Sequence, residues 1–556
     1  MQNGERIAVL NNYNQKESAQ HKSRDNNVKF GQNSSRYFAE FCGSTSIHGL
    51  KYLRERDRYV IEKIWWIIVV SIATVGAFSL IYKTYMKWTT SPIVVTLAKT
   101  ETPIWKIPFP AVTICPELKS SPTVFNCTDV YLKYLNNLET TETERENYEL
   151  FSLICDSKLK FLDGNTTEFF NETQIHHLVK DLLLDLTAGS CKWLGVEFNC
   201  SSELRPLLTL AGLCRTFNLL DFSDMFDEET EDILNTPRDY HKKIREWSLE
   251  SGYHSSASID TYPRRTTLPG IKSGFQVDLY VHDDDIDYTC GELQGFTVSL
   301  HHPGESPDLV NFFRVPLDQV VIAGVKPNMI KTSTDLSKYA PHVRQCYLPG
   351  EKQLDYFQIY TQRNCIMECL HNYILKTCGC ITMNMPYEDD TKFCGPAKMD
   401  CVDYAHVHFM EEEIRMEIDK DSEDDTNYCG CLPPCTSLEF DAEVSQTDWN
   451  WRKTHSLRNE NAKPPNFDFE KGHFSRLTVF YREMQFLSSE RHEVYGHTEF
   501  WANCGGLLGL FLGFSFTSAM EILYFLTLRL ICNILKFGKK VWSGAPELLE
   551  KQKNSE

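Results

Sequence analysis

Catalytic signatures are missing from this sequence. It holds no HExxH, no GxSxG and no phosphate-binding loop, and no Ser/His/Asp set can be argued. An enzyme is therefore the weakest functional class for it. An excess of positive charge is missing too. Lys and Arg number 57 against 76 Asp and Glu, for a formal net charge of −19 at pH 7. With no Lys/Arg-rich tract and no zinc-finger spacing, nucleic acid is not an expected partner. A metal site is not expected either. The run HDDDID, from His282 to Asp287, lacks the glycine turn and terminal glutamate of a calcium loop and reads as a solvated turn. There is no internal repeat. Long apolar runs are scarce, and only two stand out among the 556 residues.

Those two runs read as membrane spans. Ile64 to Tyr82 carries no charge and has Trp65, Trp66 and Tyr82 at its ends, where aromatic rings favour the interface. The second runs from about Ala502 to Ile531. KYLRERDRYVIEK precedes the first, and Arg529, Lys536, Lys539 and Lys540 follow the core of the second. The positive-inside rule then places both termini in the cytosol. The expected division is a cytosolic segment 1–62, a span 63–83, an extracellular domain 84–499, a span 500–532 and a cytosolic tail 533–556. Cysteine and sequon placement agree. Of 20 cysteines, 17 lie between Cys115 and Cys435, a density suited to an oxidising compartment, where CGC pairs form disulfides rather than zinc sites. Asn126, Asn165, Asn171 and Asn199 open N-x-S/T sequons in the same loop and are the expected glycosylation sites. The sequon at Asn33 would be cytosolic and bare.

Residues 1 to about 40 are polar and read as disordered. LVKDLLLDL, from Leu178 to Leu186, has helical spacing. GFQVDLYVH, GFTVSLH and SRLTVFY alternate at Phe275, Phe296 and Leu477 and read as strands that share one sheet. CIMECLHNYILKTCGC is a helix pattern bounded by paired thiols. A second, acidic helix pattern follows at HFMEEEIRMEIDKDSEDDTNYCGC. Antiparallel helices laced by disulfides are the natural reading, with CLPPC closing the region. The acidic run Glu411 to Asp425 reads as a solvated helix face.

The second span is unusual. Gly505, Gly509 and Gly513 fall on one helical face, which alone suits a helix-dimerisation seam. Glu521 argues for more, because a carboxylate within a span costs roughly 2.5 kcal/mol or more and turns to a bundle interior or to water. Ser515, Ser518 and Glu521 recur every third residue and can share a polar stripe. Several copies around an aqueous path would satisfy both features. A two-span receptor that conducts nothing would not need them.

These residues resemble the degenerin/epithelial sodium channel superfamily, which includes the acid-sensing channels, and look most like its insect pickpocket branch. The resemblance rests on STSIHGL before the first span, FPAVTIC at Phe109 to Cys115, CLPPC at Cys431 to Cys435 and GLFLGFS at Gly509 to Ser515. It also rests on RQCYLPGE, YTQRNCIMECL, CGC and MPY, and it covers Phe41 to Phe537. It implies an α+β membrane protein with two transmembrane helices and a large disulfide-rich extracellular domain of palm, β-ball, knuckle, finger and thumb, with the strands near Phe275, Phe296 and Leu477 in the palm. It implies a homo- or hetero-trimer in the plasma membrane, forming a sodium-selective, amiloride-sensitive channel that answers an extracellular or mechanical stimulus. The alternative within the family is a regulatory subunit that conducts only in hetero-oligomers. No cofactor is implied, only the permeant sodium ion and the lipid bilayer.

Residue by residue, the resemblance implies a selectivity filter at Gly513, Phe514 and Ser515, where the pore helix is interrupted. It implies pore-lining roles for Gly505, Gly509, Ser518 and Glu521, and gating roles for His48, Gly49 and Ala502. Phe514 departs from the small residue usual there, and Tyr524 stands where acid-sensing relatives carry an aspartate. The implied disulfides are Cys115–Cys214, Cys191–Cys200, Cys346–Cys435, Cys365–Cys431, Cys369–Cys429, Cys378–Cys401 and Cys380–Cys394. Cys127, Cys155 and Cys290 are left over, with Cys127–Cys155 one open pairing.

Overall fold

Alternation decides the larger of the two main sheets. A computed structural model describes residues 30–553 except 56–57, 91–92, 156–165, 232, 235–246, 259–260, 292, 308, 389–390, 419–428, 459–469, 495 and 540. It divides into two compact units: Val95–His492, and the remainder on both sides of it.

In the first unit, strands β1 (Ile93–Leu97), β2 (Ala111–Pro116), β3 (Thr187–Trp193), β4 (Val196–Phe198), β5 (Leu204–Thr209), β6 (Gly212–Phe217), β7 (Phe275–His282), β8 (Phe296–His301), β9 (Phe312–Val315), β10 (Gln319–Thr332), β11 (Ser437–Asp448), β12 (Gly472–Tyr481) and β13 (Ser489–Glu493) build two main sheets. The eight-stranded sheet runs β1-β13-β10-β12-β7-β3-β4, with β11 also paired to β10. Along β7, buried and half-buried residues alternate strictly, the pattern of a strand with one face on a core. β7 pairs antiparallel with β12, with Phe275 opposite Val479 and Val277 opposite Leu477.

The five-stranded sheet runs β9-β8-β2-β6-β5. This corrects one expectation. Phe275 and Leu477 do share a sheet, but Phe296 lies in the other. β8 is buried along its whole length, and β2 beside it is buried likewise. A strand covered on both faces loses the constraint that ties alternation to one core, so its pattern could not assign it to a sheet. Between the sheets, Phe109 packs on Trp193 at 4.9 Å and Phe217 stacks on Phe275 at 4.1 Å. Tyr481 donates its hydroxyl to the Pro108 carbonyl at 2.7 Å. The FPAVTIC motif is therefore the seam of this core.

Two helices, α3 (Gln362–Cys378) and α4 (Met399–Ile418), pack together beside a cysteine-rich cluster. Cys378–Cys401 ties the end of α3 to the first turn of α4. Thr361 caps α3 at one end and Gly379, at φ 72°, closes it at the other. The acidic run is helical up to Ile418, and its remainder lies outside the described residues. Leu178–Leu186 is less regular than its spacing suggests. A π-helical turn spans Leu178–Leu182, and the chain is extended from Leu183.

In the second unit, residues 30–44 form a helix, α1, so the end of the segment expected to be disordered is ordered. Residues 1–29 lie outside the described residues. A long helix, α2 (Val60–Thr90), follows, with Ile67, Ile72, Val75 and Phe78 more than half exposed. Such apolar exposure is stable in lipid rather than in water. The second apolar segment is not one helix. It divides into α5 (His497–Leu512), α6 (Phe516–Leu526) and α7 (Leu528–Phe537). Among the described residues, the apolar helical stretches long enough to span a bilayer are Val60–Thr89 and Phe516–Phe537. α2 packs on α5, where Gly76 allows a close approach: a Cβ there would stand 3.1 Å from the Phe511 ring.

Candidate functional site

The break between α5 and α6 has the hydrogen bonding of a designed stop and start. Gly513 sits at φ 64°, the left-handed conformation that favours glycine. Its N–H donates to the Gly509 carbonyl, the single bond of an αL helix ending, and the Phe514 N–H donates to the Leu508 carbonyl at 3.3 Å. Two residues later the chain starts again. Ser515 is the N-cap of α6: its Oγ accepts from the Ser518 N–H at 3.3 Å, and its own N–H donates to Ser518 Oγ at 3.1 Å. Ending a helix releases the carbonyls of its last turn.

One of those carbonyls is taken by the loop between α1 and α2. The His48 N–H donates to Leu512 O at 2.9 Å. The His48 imidazole lies against Gly513 so closely that a Cβ on that glycine would be 2.5 Å from Nδ1. Gly49 is equally constrained. It sits at φ 87°, and a Cβ there would be 2.7 Å from the Val70 side chain. The His-Gly pair thus turns the chain and presses it on the helix break.

Glu521 faces the same loop. Its Oε2 accepts from the Ser46 N–H at 2.9 Å, from Ser46 Oγ at 3.2 Å and from Thr45 Oγ1 at 3.3 Å. Ser46 Oγ also lies 2.7 Å from Ser518 Oγ. The polar stripe expected along α6 therefore exists, but the chain's own loop occupies part of it. Ser518 is fully buried there, against that loop. The physical reason is the cost of a bare carboxylate among apolar helices, which three donors offset. Below the loop, Arg529 pairs with Glu40 of α1 at 2.6 Å, and Tyr37 donates to the Phe525 carbonyl.

Other predicted residues are placed as follows. Among the described residues nothing lies within 4 Å of where a Cβ on Gly505 would stand, so that helix face is open in a single chain. At Gly509 the nearest atom is the Phe514 carbonyl oxygen at 3.7 Å. Ala502 and Ser515 are exposed, and Phe514 is half-buried. The sequence does not single out Ser46 and Thr45 individually, although both lie in the STSIHGL motif. Nothing in their spacing connects them to a glutamate some 475 residues away.

A polar loop seated on a glycine-broken apolar helix can hold or release the shape of that break. Comparison with known proteins agrees with a membrane-pore assignment. The sequence profile of the family described as "Amiloride-sensitive sodium channel" (ASC) matches residues 41–525. The chain belongs to the amiloride-sensitive sodium channel family. It is 27% identical over 512 residues to Pickpocket protein 28 of Drosophila melanogaster, covering 88% of this chain and 78% of that one. It is 24% identical over 518 residues to Pickpocket protein 11 of the same species, covering 91% and 78%. It is 25% identical over 281 residues to human Acid-sensing ion channel 2, covering 49% and 50%. A solved proton-activated chloride channel aligns over 83% of this chain and 96% of its own with a TM-score of 0.27 and 7% identity, too loose a likeness to bear on the fold. Members of the amiloride-sensitive sodium channel family are ion channels, not enzymes.

The cysteines of this family member form eight disulfides. Seven are Cys115–Cys214, Cys191–Cys200, Cys346–Cys435, Cys365–Cys431, Cys369–Cys429, Cys378–Cys401 and Cys380–Cys394. The eighth is Cys155–Cys290. Cys127 is therefore left as a buried thiol, and the Cys127–Cys155 pairing does not form. Burial, and secondarily the Asp287 carboxylate, pushes that thiol far above the usual range, so it is not a reactive nucleophile. Asn126, Asn171 and Asn199 are exposed helix N-caps whose Oδ1 accepts a backbone N–H. Asn165 lies outside the described residues. Asn33 is buried, and its Oδ1 accepts from Ser543 Oγ at 2.8 Å. Among the described residues no His, Cys, Asp and Glu cluster could hold a metal ion. The HDDDID acids disperse instead: Asp283 binds His473, Asp284 binds Lys471 and Asp285 accepts from Ser121.

Proposed function

We propose that the chain is a subunit of a trimeric, sodium-selective, amiloride-blocked cation channel of the plasma membrane, with both termini cytosolic. The single observation that carries the reading is the capped break at Gly513–Ser515 in an otherwise apolar helical segment. In this reading the break supplies the filter: backbone oxygens and the Ser515 hydroxyl of several copies replace part of a cation's hydration shell. Gly505 and Gly509 line the open helix face, where neighbouring copies approach. His48 and Gly49 act as the gate's seat, and Ala502 sits where added bulk would hold the pore open. The eight-stranded sheet corresponds to a palm and the helices α3 and α4 to a thumb. The net charge of −19 raises the local concentration of cations. The reading calls for no cofactor; sodium is cargo.

A second reading keeps the family and changes the assembly. Phe514 is bulky where the filter pattern has a small residue, which favours a subunit that conducts only beside others. Expression alone in oocytes, with Ala502→Phe, separates the two. An amiloride-blocked sodium current supports a self-sufficient channel. Silence at normal surface abundance, with current restored by a co-expressed pickpocket subunit, supports the second reading. Silence in every combination tried would overturn both.

A further inference from the structure

Acidic residues outnumber basic ones in this protein, yet three cations line one cleft of the first unit. The cleft has a volume of about 510 Å³ and lies between the hairpin formed by Trp247–Ser248 and Gly252–Tyr253, the segment before β2, and the ends of β10 and β11. Lys106, Arg265 and Lys331 contribute the charge, and Trp105, Trp247 and Tyr253 contribute aromatic surface. Glu250 is the only carboxylate among the lining residues.

Arg265 is held in place without being neutralised. It donates to the carbonyls of Trp105, Ala257 and Ser258 at 3.3, 2.6 and 3.1 Å. Its guanidinium lies 4.2 Å from the centre of the Tyr253 ring. None of the three cations takes part in an ion pair among the described residues. Trp105 is 44% exposed, a large ring left partly open at the cleft. Cleft volumes of roughly 300–1,000 Å³ suit small organic ligands. A fixed guanidinium and two ammonium groups, one of them 5.5 Å from the centre of the Trp105 ring, recognise a carboxylate or sulfonate, while the rings stack on a planar body. The acidic remainder of the protein does not cancel this, because charges beyond roughly 8 Å are screened at physiological ionic strength.

We propose that this cleft binds a small organic anion with a planar apolar body. The site is separate from the helix break and does not depend on conduction. The test is isothermal titration of the full-length protein in nanodiscs with 2-naphthalenesulfonate, 2-naphthylmethanol and 2-naphthylmethylammonium as probes, corrected against empty nanodiscs. The expected result is saturable binding of the sulfonate, with the ammonium probe at least tenfold weaker. Lys106→Gln and Lys331→Gln, two substitutions outside the core, should each weaken the sulfonate several-fold, and the double variant roughly tenfold or more. Lys326→Gln, exposed on the same strand as Lys331, should change nothing. No saturable sulfonate binding, equal binding of the ammonium probe, or full affinity in the double variant would each overturn the proposal.

Discussion

At the scale of single residues, two glycines are fixed by geometry rather than by flexibility. Gly513 and Gly49 both have positive φ, and both lack room for a Cβ. Alanine in the left-handed region costs roughly 1–2 kcal/mol, and at 513 it would also displace His48. Gly513→Ala should therefore lower whole-cell current at least tenfold while surface biotinylation stays near wild type. Normal current would show that the His48 seat is dispensable. Gly505→Ala has open space and should leave folding of the chain unchanged by thermal melt. Glu521 makes a different prediction, because it holds Thr45 and Ser46 through three hydrogen bonds. In Glu521→Ala, a cysteine placed at Ile47 should react several-fold faster with a cytosolic thiosulfonate reagent. Glu521→Gln, which keeps an acceptor oxygen, should fall between. An unchanged rate would mean that the carboxylate does not hold the loop.

Among elements, the helix break and the disulfides carry the consequences. Four residues apart, the glycines made a close-packed face legible, and G-x-S suggested an interruption by resemblance. The caps that perform the interruption are tertiary knowledge, since the αL closure needs φ 64° at Gly513 and not merely a glycine there. Cysteine pairing shows the same limit. Three thiols remained, and only their folded positions select Cys155–Cys290, which closes a loop of sequence separation 135. Closing so long a loop contributes about 2–5 kcal/mol. Cys155→Ser or Cys290→Ser should lower the melting temperature of the protein and add one free thiol in a denatured titration. Cys127→Ser should leave the disulfide count unchanged. Equal loss of stability in all three would contradict the assignment.

Across the whole molecule, acid should loosen the protein through buried histidines. Burial, and then neighbouring His301, holds His302 down to about 3; burial alone holds His371 down to about 4. Neither His371 ring nitrogen has a hydrogen-bond partner among the described residues, so a proton there has nothing to offset its desolvation. In the unfolded chain both rings protonate near 6.5. Below that pH the unfolded state binds more protons, and stability falls as pH drops. The contribution is complete above about 6.5 and is lost progressively towards 4. Each histidine accounts for about 3 kcal/mol at most over that range. Glu368 works against this near its own, lower range, because burial raises its carboxyl. Thermal melts between pH 7.5 and 5 should show a falling midpoint, and His371→Leu should flatten the slope. A slope unchanged in that variant would remove His371 from the account.

The sequence by itself determined what local composition controls: two apolar segments, their charged flanks, a cysteine-dense region between them and the alternation of β7 and β12. It also identified the family, because motifs are local strings. Only the tertiary structure decided which sheet receives the strand at Phe296, which thiol stays free, and that Ser518 and Glu521 turn to the loop at Thr45–Ser46. Each of those is a contact between residues far apart in the chain. Periodicity states which face a side chain takes, whereas its partner across space is set by packing and by the need to satisfy every buried polar group.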